Sequence, residues 1–189
     1  MRKILILLVL VGVLLSGCTD VKLNNVSQQN QGTYSLIPIP ARTGLTNETI
    51  YTATNTIDGS VGGNITLNAS YMGDNGQSVT LKLSMTFPAG AFNDVRTITL
   101  TADDHYAAVN CTPSMVFAKS VILDYAYTGL NIKNCDLPKE KNGFYFISDS
   151  GLLEPVASTS FLIDKNSGSL SVTGAQINHF SRYGWTTLY

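Results

Sequence analysis

The sequence predicts an all-β fold, an antiparallel β-sandwich that follows an N-terminal signal segment and a tether. From about residue 48 onward, apolar and polar residues alternate with a period of two, and turns rich in Gly, Asn and Ser separate the alternating runs. No segment after the signal shows the spacing of an amphipathic helix. Charged residues make up only 13% of the chain, against a globular average of about 25%. Ser, Thr, Asn and Gly supply the polarity instead, which is typical of β-rich exported domains.

The first element is a signal segment. Arg2 and Lys3 precede an unbroken apolar run over residues 4–15. That run fits a secretory signal and is shorter than the roughly 20 residues that cross a bilayer. The motif Leu15-Ser16-Gly17-Cys18 follows directly and resembles the lipobox of bacterial lipoproteins. An ordinary secretory signal with an incidental cysteine is the alternative.

The lipobox resemblance implies cleavage between Gly17 and Cys18 and lipidation of Cys18. Its thiol is nucleophilic enough to take a diacylglyceryl group as a thioether, and a further acyl chain such as palmitate is usual on the freed amine. Stable anchoring takes at least two chains. The expected partner is therefore membrane lipid, reached through acylated Cys18 in the bacterial cell envelope. Thr19 stands where Asp would resemble an inner-membrane retention signal, which favours the outer membrane.

The chain after cleavage carries little net charge. Loss of residues 1–17 reduces the twelve basic residues to ten against thirteen acidic ones, a formal charge of −3. Without a basic patch, nucleic-acid binding has no electrostatic support.

Residues 18–47 are predicted to form the lipidated end and a flexible tether. Except for Val26, the stretch over residues 24–32 is polar or Gly and uncharged, and Pro38 and Pro40 interrupt any regular strand ladder. In an alternative, residues 36–40 pack extended on the domain. We assign residues 1–17 to the signal peptide, 18–47 to the tether and 48–189 to the β-sandwich.

Strands are predicted where the alternation is cleanest. Residues 65–71 and 79–87 alternate on either side of the turn Asp74-Asn75-Gly76 and predict a β-hairpin. Further strands are predicted around residues 97–101, 121–127, 144–146 and 170–172. Many short strands with regular turns favour a sandwich.

Two local motifs carry a family resemblance. Residues 87–92, Phe-Pro-Ala-Gly-Ala-Phe, precede the predicted strand 97–101, and residues 177–183 contain His-Phe-Ser. In order and spacing the two motifs resemble the ZU-five domain, a β-sandwich of receptors, scaffold proteins and bacterial surface proteins. The resemblance covers about residues 58–185. It implies a β-sandwich over these residues.

The triplet His179-Phe180-Ser181 raises a second hypothesis. Some relatives cut their own backbone between this Phe and Ser by an N-to-O acyl shift. Here Ser181 Oγ would attack the carbonyl carbon of Phe180, His179 would assist, and water would hydrolyse the ester. In the alternative, nothing is cut and Phe180 packs in the core. Alternation would then place His179, Ser181 and Tyr183 on one face.

Cys111 and Cys135 remain once Cys18 is lipidated. In an oxidising compartment the pair could form a disulfide worth about 3 kcal/mol. The alternative is two small buried hydrophobic side chains that never meet.

The remaining candidates are weaker. His105 follows Asp103 and Asp104, but a third and fourth ligand are missing, so we expect a solvated loop, no metal and no cofactor. Tyr183, Trp185 and Tyr189 either close the rim of the core or form a platform for sugars or proteins.

Three functions follow. The leading one is a lipid-anchored envelope module that is structural, adhesive or protein-binding and does no catalysis on external substrates. The second is a self-cleaving domain that cuts between Phe180 and Ser181. The third is a carbohydrate-binding accessory protein. The expected partners are envelope proteins or glycans.

Overall fold

The computed structural model of the chain describes residues 34–43, 50–135, 143–148 and 151–188. The described residues form an all-β structure without a helix. The strands are β1 Tyr34–Leu36, β2 Thr52–Asp58, β3 Gly63–Met72, β4 Ser78–Phe87, β5 Val95–Ala102, β6 Ala108–Thr112, β7 Val116–Thr128, β8 Phe144–Ile147, β9 Leu153–Pro155, β10 Ser160–Asp164, β11 Ser169–His179 and β12 Arg182–Leu188.

The strands form two antiparallel sheets that pack face to face, which confirms the predicted sandwich. The five-stranded sheet has the order β10-β11-β7-β4-β3, and the seven-stranded sheet has the order β2-β5-β6-β12-β8-β9. The seventh strand, β1, pairs with β12 beyond the end of β6. In the part of the chain that the structure describes, no helix is long and apolar enough to cross a membrane.

The core lies between the two sheets because one face of each strand is apolar. In β4, Val79, Leu81, Leu83, Met85 and Phe87 are buried, while the intervening residues are exposed or half-buried. Burial of each such side chain contributes about 1.5–3 kcal/mol. The predicted hairpin is confirmed, because β3 pairs with β4 in antiparallel register across the turn at residues 73–77.

The sandwich begins earlier than residue 48. Ile37 is fully buried, its amide N donates to Trp185 O at 2.9 Å, and its carbonyl O accepts from Ala107 N at 2.8 Å. Pro38 and Arg42 form β-bridges to Tyr106 and Gly73. Residues 36–40 therefore pack in an extended conformation on the domain, which was the alternative to a tether that continues to residue 47. Cys18 and the lipobox lie outside the described residues.

Of the two alternatives for Cys111 and Cys135, the structure has the one without a disulfide, because both carry free thiols. Cys111 is buried in β6, where its residue pairs with Leu100 of β5. Cys135 lies half-buried after β7, and its carbonyl O accepts from Lys165 Nζ at 2.6 Å. Cys111 and Cys135 therefore have different neighbours and do not bond to each other, which agrees with the alternative of two unpaired small side chains.

Candidate functional site

The two motifs of the family resemblance meet in space. Phe87 and Phe92 of the first motif and Phe180 of the second pack with Phe117 of β7 into what we call the phenylalanine cluster. Phe117 and Phe180 meet edge to face with ring centroids 4.8 Å apart, and Phe87 lies 6.0 Å from each of them. Such aromatic pairs add about 0.5–1.5 kcal/mol beyond area burial.

The first motif forms a tight crossing from β4 to β5, which we call the first crossing (residues 87–92). Ala91 N donates to Pro88 O at 3.0 Å and Gly90 N donates to Gly59 O at 2.8 Å. The start of β7 also holds it, because Ala118 N donates to Ala91 O and Lys119 Nζ donates to Ala89 O. The backbone of this crossing is fixed from several sides.

The second motif forms the crossing from β11 to β12, which we call the second crossing (residues 179–182). Phe180 N donates to Met115 O at 2.7 Å, and Ser181 O accepts from Cys111 N at 2.9 Å. The Tyr183 hydroxyl donates to His179 O. Burial raises the pKa of Tyr183 above its ordinary value, so the phenol remains a donor at neutral pH.

The predicted alternation across this crossing is wrong, because Phe180 and Tyr183 are both buried. The chain leaves the five-stranded sheet at His179 and enters the seven-stranded sheet at Arg182, so the period of two is interrupted between the sheets. The alternative in which Phe180 packs in the core is the one that the structure has.

His179 and Ser181 are not joined by a hydrogen bond. The His179 imidazole lies edge to face on the Phe146 ring, with centroids 4.4 Å apart. Among the residues that the structure describes, none makes a hydrogen bond with the Ser181 hydroxyl, so no base is in place for the acyl shift. Catalytic hydrogen bonds can tighten when a site is engaged, so self-cleavage stays a prediction.

Arg182 makes an ion pair at the outer end of this crossing. Its Nη2 lies 2.5 Å from Asp103 Oδ2, and the other carboxylate oxygen accepts from the amide N atoms of His105 and Tyr106 at 2.9 Å each. Asp103 therefore closes the turn after β5 and orients Arg182. The described residues hold no group of three or more potential metal ligands.

A shallow cleft of about 520 Å³ opens beside the second crossing, where β6 runs past the first residue of β12. Cys111, Ile147 and Phe180 contribute its apolar lining. Its polar lining consists of Asn110, Thr112, Ser114, Ser148, Ser181 and Arg182.

Beside the cleft, the outer side of β2, β5 and β6 carries a regular array of hydroxyl groups, which we call the threonine face. In register, Thr52 opposes Thr101, Thr54 opposes Thr99 and Thr56 opposes Thr97. On the next strand, Thr112 opposes Thr99 and Asn110 opposes Thr101. The threonine face consists of Thr52, Thr54, Thr56, Thr97, Thr99, Thr101, Thr112 and Asn110.

Our sequence reasoning missed this face, although the alternating threonines at residues 52–56 and 97–101 were visible. For the C-terminal aromatic residues, the sequence left open a binding platform or closure of the rim of the core. The structure buries Tyr183 and Trp185 in the core, which agrees with the second alternative and not with the platform. Tyr189 lies outside the described residues.

The chain matches no family model, no curated protein and no solved structure.

Proposed function

We propose that this chain is a lipid-anchored module of the bacterial cell envelope that presents a β-sandwich as a binding or structural surface, without catalysis on external substrates. The observation that carries the proposal is the motif Leu15-Ser16-Gly17-Cys18 directly behind an apolar run of signal length. Cys18 is the acylated residue, and the outer membrane is the expected location.

The length of chain between Cys18 and the sandwich is compatible with this proposal. Fifteen residues separate Cys18 from Tyr34, the first residue of β1. Envelope proteins or glycans are the expected partners of the anchored sandwich.

The surface of the sandwich also supports a binding role. The threonine face, on the outer side of β2, β5 and β6, consists of uncharged side chains, all but one of which carry a hydroxyl group, and the cleft adjoins it. These groups lie on paired strands, which hold them at fixed spacings and lower the entropy cost of engaging a partner.

The test is the intact mass of the full chain after expression in a bacterium and extraction from membranes. We expect loss of residues 1–17 together with added diacylglyceryl and acyl groups. Cys18→Ser should abolish both changes, whereas Cys135→Ser, the matched control, should leave both in place. A water-soluble, unacylated product that retains its leader would refute the proposal.

Self-cleavage is the second candidate function. It is favoured by the position of the Phe180–Ser181 bond, because Ser181 lines an open cleft that water can enter. The same mass spectrum reports it, since cleavage releases residues 181–189.

A further inference from the structure

We infer that the threonine face and the adjoining cleft bind a neutral polysaccharide. This inference rests on the proposed function, in which the sandwich presents a binding surface, and it names the class of partner.

Hydroxyl pairs carry the first step of the argument. Thr54 Oγ1 lies 3.0 Å from Thr99 Oγ1, and Thr56 Oγ1 lies 3.2 Å from Thr97 Oγ1. In each pair, one O–H donates the internal hydrogen bond. The other O–H and several lone pairs are then available to a ligand. Sugar hydroxyl groups offer the same combination of donors and acceptors. The threonine methyl groups provide apolar contact for the C–H faces of sugar rings.

The lack of charge selects a neutral polymer. All eight side chains of the threonine face are uncharged. Charged side chains flank it: Asp58 follows Thr56 on β2, and Arg182 opposes Asn110 in register, where its charge is neutralised by the ion pair with Asp103. Binding of an anionic polymer depends on Lys and Arg side chains that neutralise it, and this face has none between its ends.

The cleft extends the same surface. Asn110 and Thr112 belong both to the threonine face and to the lining of the cleft. The volume of about 520 Å³ is within the range of small-molecule sites, which are about 300–1,000 Å³. The Asn110 amide both donates and accepts, and Ser114 and Ser181 also line the cleft. One end of a glycan chain fits this combination.

A protein partner fits less well. Protein interfaces depend on buried aromatic or aliphatic anchors at their centre. The threonine face offers only hydroxyl, amide and methyl groups. The exposed apolar side chains Phe161 and Leu162 lie on β10, in the other sheet.

The test uses the full-length chain, purified from membranes in detergent, in native gels that contain dextran, mannan or amylose. Hyaluronate is the charged comparison. We expect at least one neutral polysaccharide to retard the protein. The triple variant Thr54→Val/Thr99→Val/Asn110→Ala should weaken that association constant at least tenfold, while Thr54→Ser/Thr99→Ser, which keeps the hydroxyls, retains most of it.

The matched control is Thr66→Val/Thr80→Val on the outer side of the five-stranded sheet, which should bind as the unchanged protein does. Thermal melting verifies that every variant is folded. No retardation by any neutral polysaccharide, equal weakening by the control, or retardation by hyaluronate alone would overturn the inference. A protein captured at this face in place of a glycan would do the same. Acylation is read separately by mass, so failure here is distinguishable from failure of the proposed function.

Discussion

The two crossings between the sheets share the phenylalanine cluster on their inner side and differ on their outer side. The first crossing is closed, because Gly59 and Gly62 pack directly against it, with no room for a side chain. The second crossing is open, and Ser181 and Arg182 line the cleft there. The beginning of β7 supports both crossings. Ala118 of β7 donates a backbone hydrogen bond to Ala91 in the first crossing, and Met115, the residue before β7, accepts one from Phe180 in the second.

This difference shows how one core supports both a closed and an open surface. Phe117 lies against Phe92 and Phe180, so the positions of both crossings are set from inside. The outer side of the second crossing is then free to hold a cleft without loss of core packing.

Phe180→Ala should break the shared cluster. Loss of a fully buried phenylalanine costs about 3–5 kcal/mol of unfolding free energy. Phe161→Ala is the control, because that ring is 44% exposed on β10 and should cost far less. Urea denaturation of both variants measures the difference. A loss below about 1 kcal/mol for Phe180→Ala would contradict the role of the cluster.

Gly62→Ala should disturb the closed crossing. Gly62 has φ +88°, and a Cβ there would lie 2.4 Å from Phe87 O. The left-handed conformation alone costs about 1–2 kcal/mol, so the clash should raise the total to about 3 kcal/mol. Gly151→Ala is the control that measures the cost of the left-handed backbone conformation without a steric clash. Gly151 has φ +79°, and a Cβ there would have no other atom within 4 Å. Equal midpoints in urea for both variants would contradict this prediction.

Asp103→Ala should loosen the open crossing. The substitution removes the partner of Arg182 and the acceptor for the amides of His105 and Tyr106. Hydrogen bonds to charged groups contribute about 1.5–3 kcal/mol, and a loss of about 2 kcal/mol is expected in urea. Asp94→Ala should show no measurable loss, since its pair with Arg96 is exposed. Equal stability of the two variants would refute the structural role of Asp103.

Tyr183 should make the open crossing sensitive to alkaline pH. Burial raises its pKa above the ordinary value of 10.0, so the folded state keeps this proton where the unfolded chain releases it. The unfolded state then binds fewer protons, and the unfolding free energy falls as pH rises above 10. Tyr183→Phe should make that fall less steep in urea titrations at pH 8–11, while the buried Tyr125 and Tyr127, whose pKa values are also raised, keep part of it. An unchanged slope would contradict the assignment.

Ser181→Ala should have the smallest effect. Ser181 is partly exposed and its hydroxyl has no partner among the described residues, so the melting temperature should hardly change. Under the leading proposal, the unchanged protein and the variant both retain residues 181–189 in an intact mass spectrum. A shorter species that disappears in Ser181→Ala would instead establish self-cleavage.

Much of the sheet structure could be predicted, but not all of it. The β3–β4 hairpin is visible in the alternation and in Asp74-Asn75-Gly76 because both signals are local. The strands β1 and β2 are not among the predicted strands. β1 has three residues, and most of β2 is exposed, so neither carries a clear apolar face. Their pairing with β12 and β5 depends on residues far away in the chain.

The candidate site depended on tertiary structure even more. In the sequence, residues 87–92 and 177–183 are two separate motifs. Only folding brings the ring centroids of Phe87 and Phe180 to 6.0 Å from each other. Likewise, the threonines at 52–56 and 97–101 form one face only because β2 and β5 pair in that register.

The class of fold follows from the amino-acid sequence alone, because the period of two in side-chain direction is a property of each strand. By contrast, the free thiols of Cys111 and Cys135, the burial of Trp185 and the cleft beside Ser181 become visible only in the folded chain. These outcomes depend on which strands become neighbours. That choice is made by packing between residues distant in the chain, on which a local pattern carries no information.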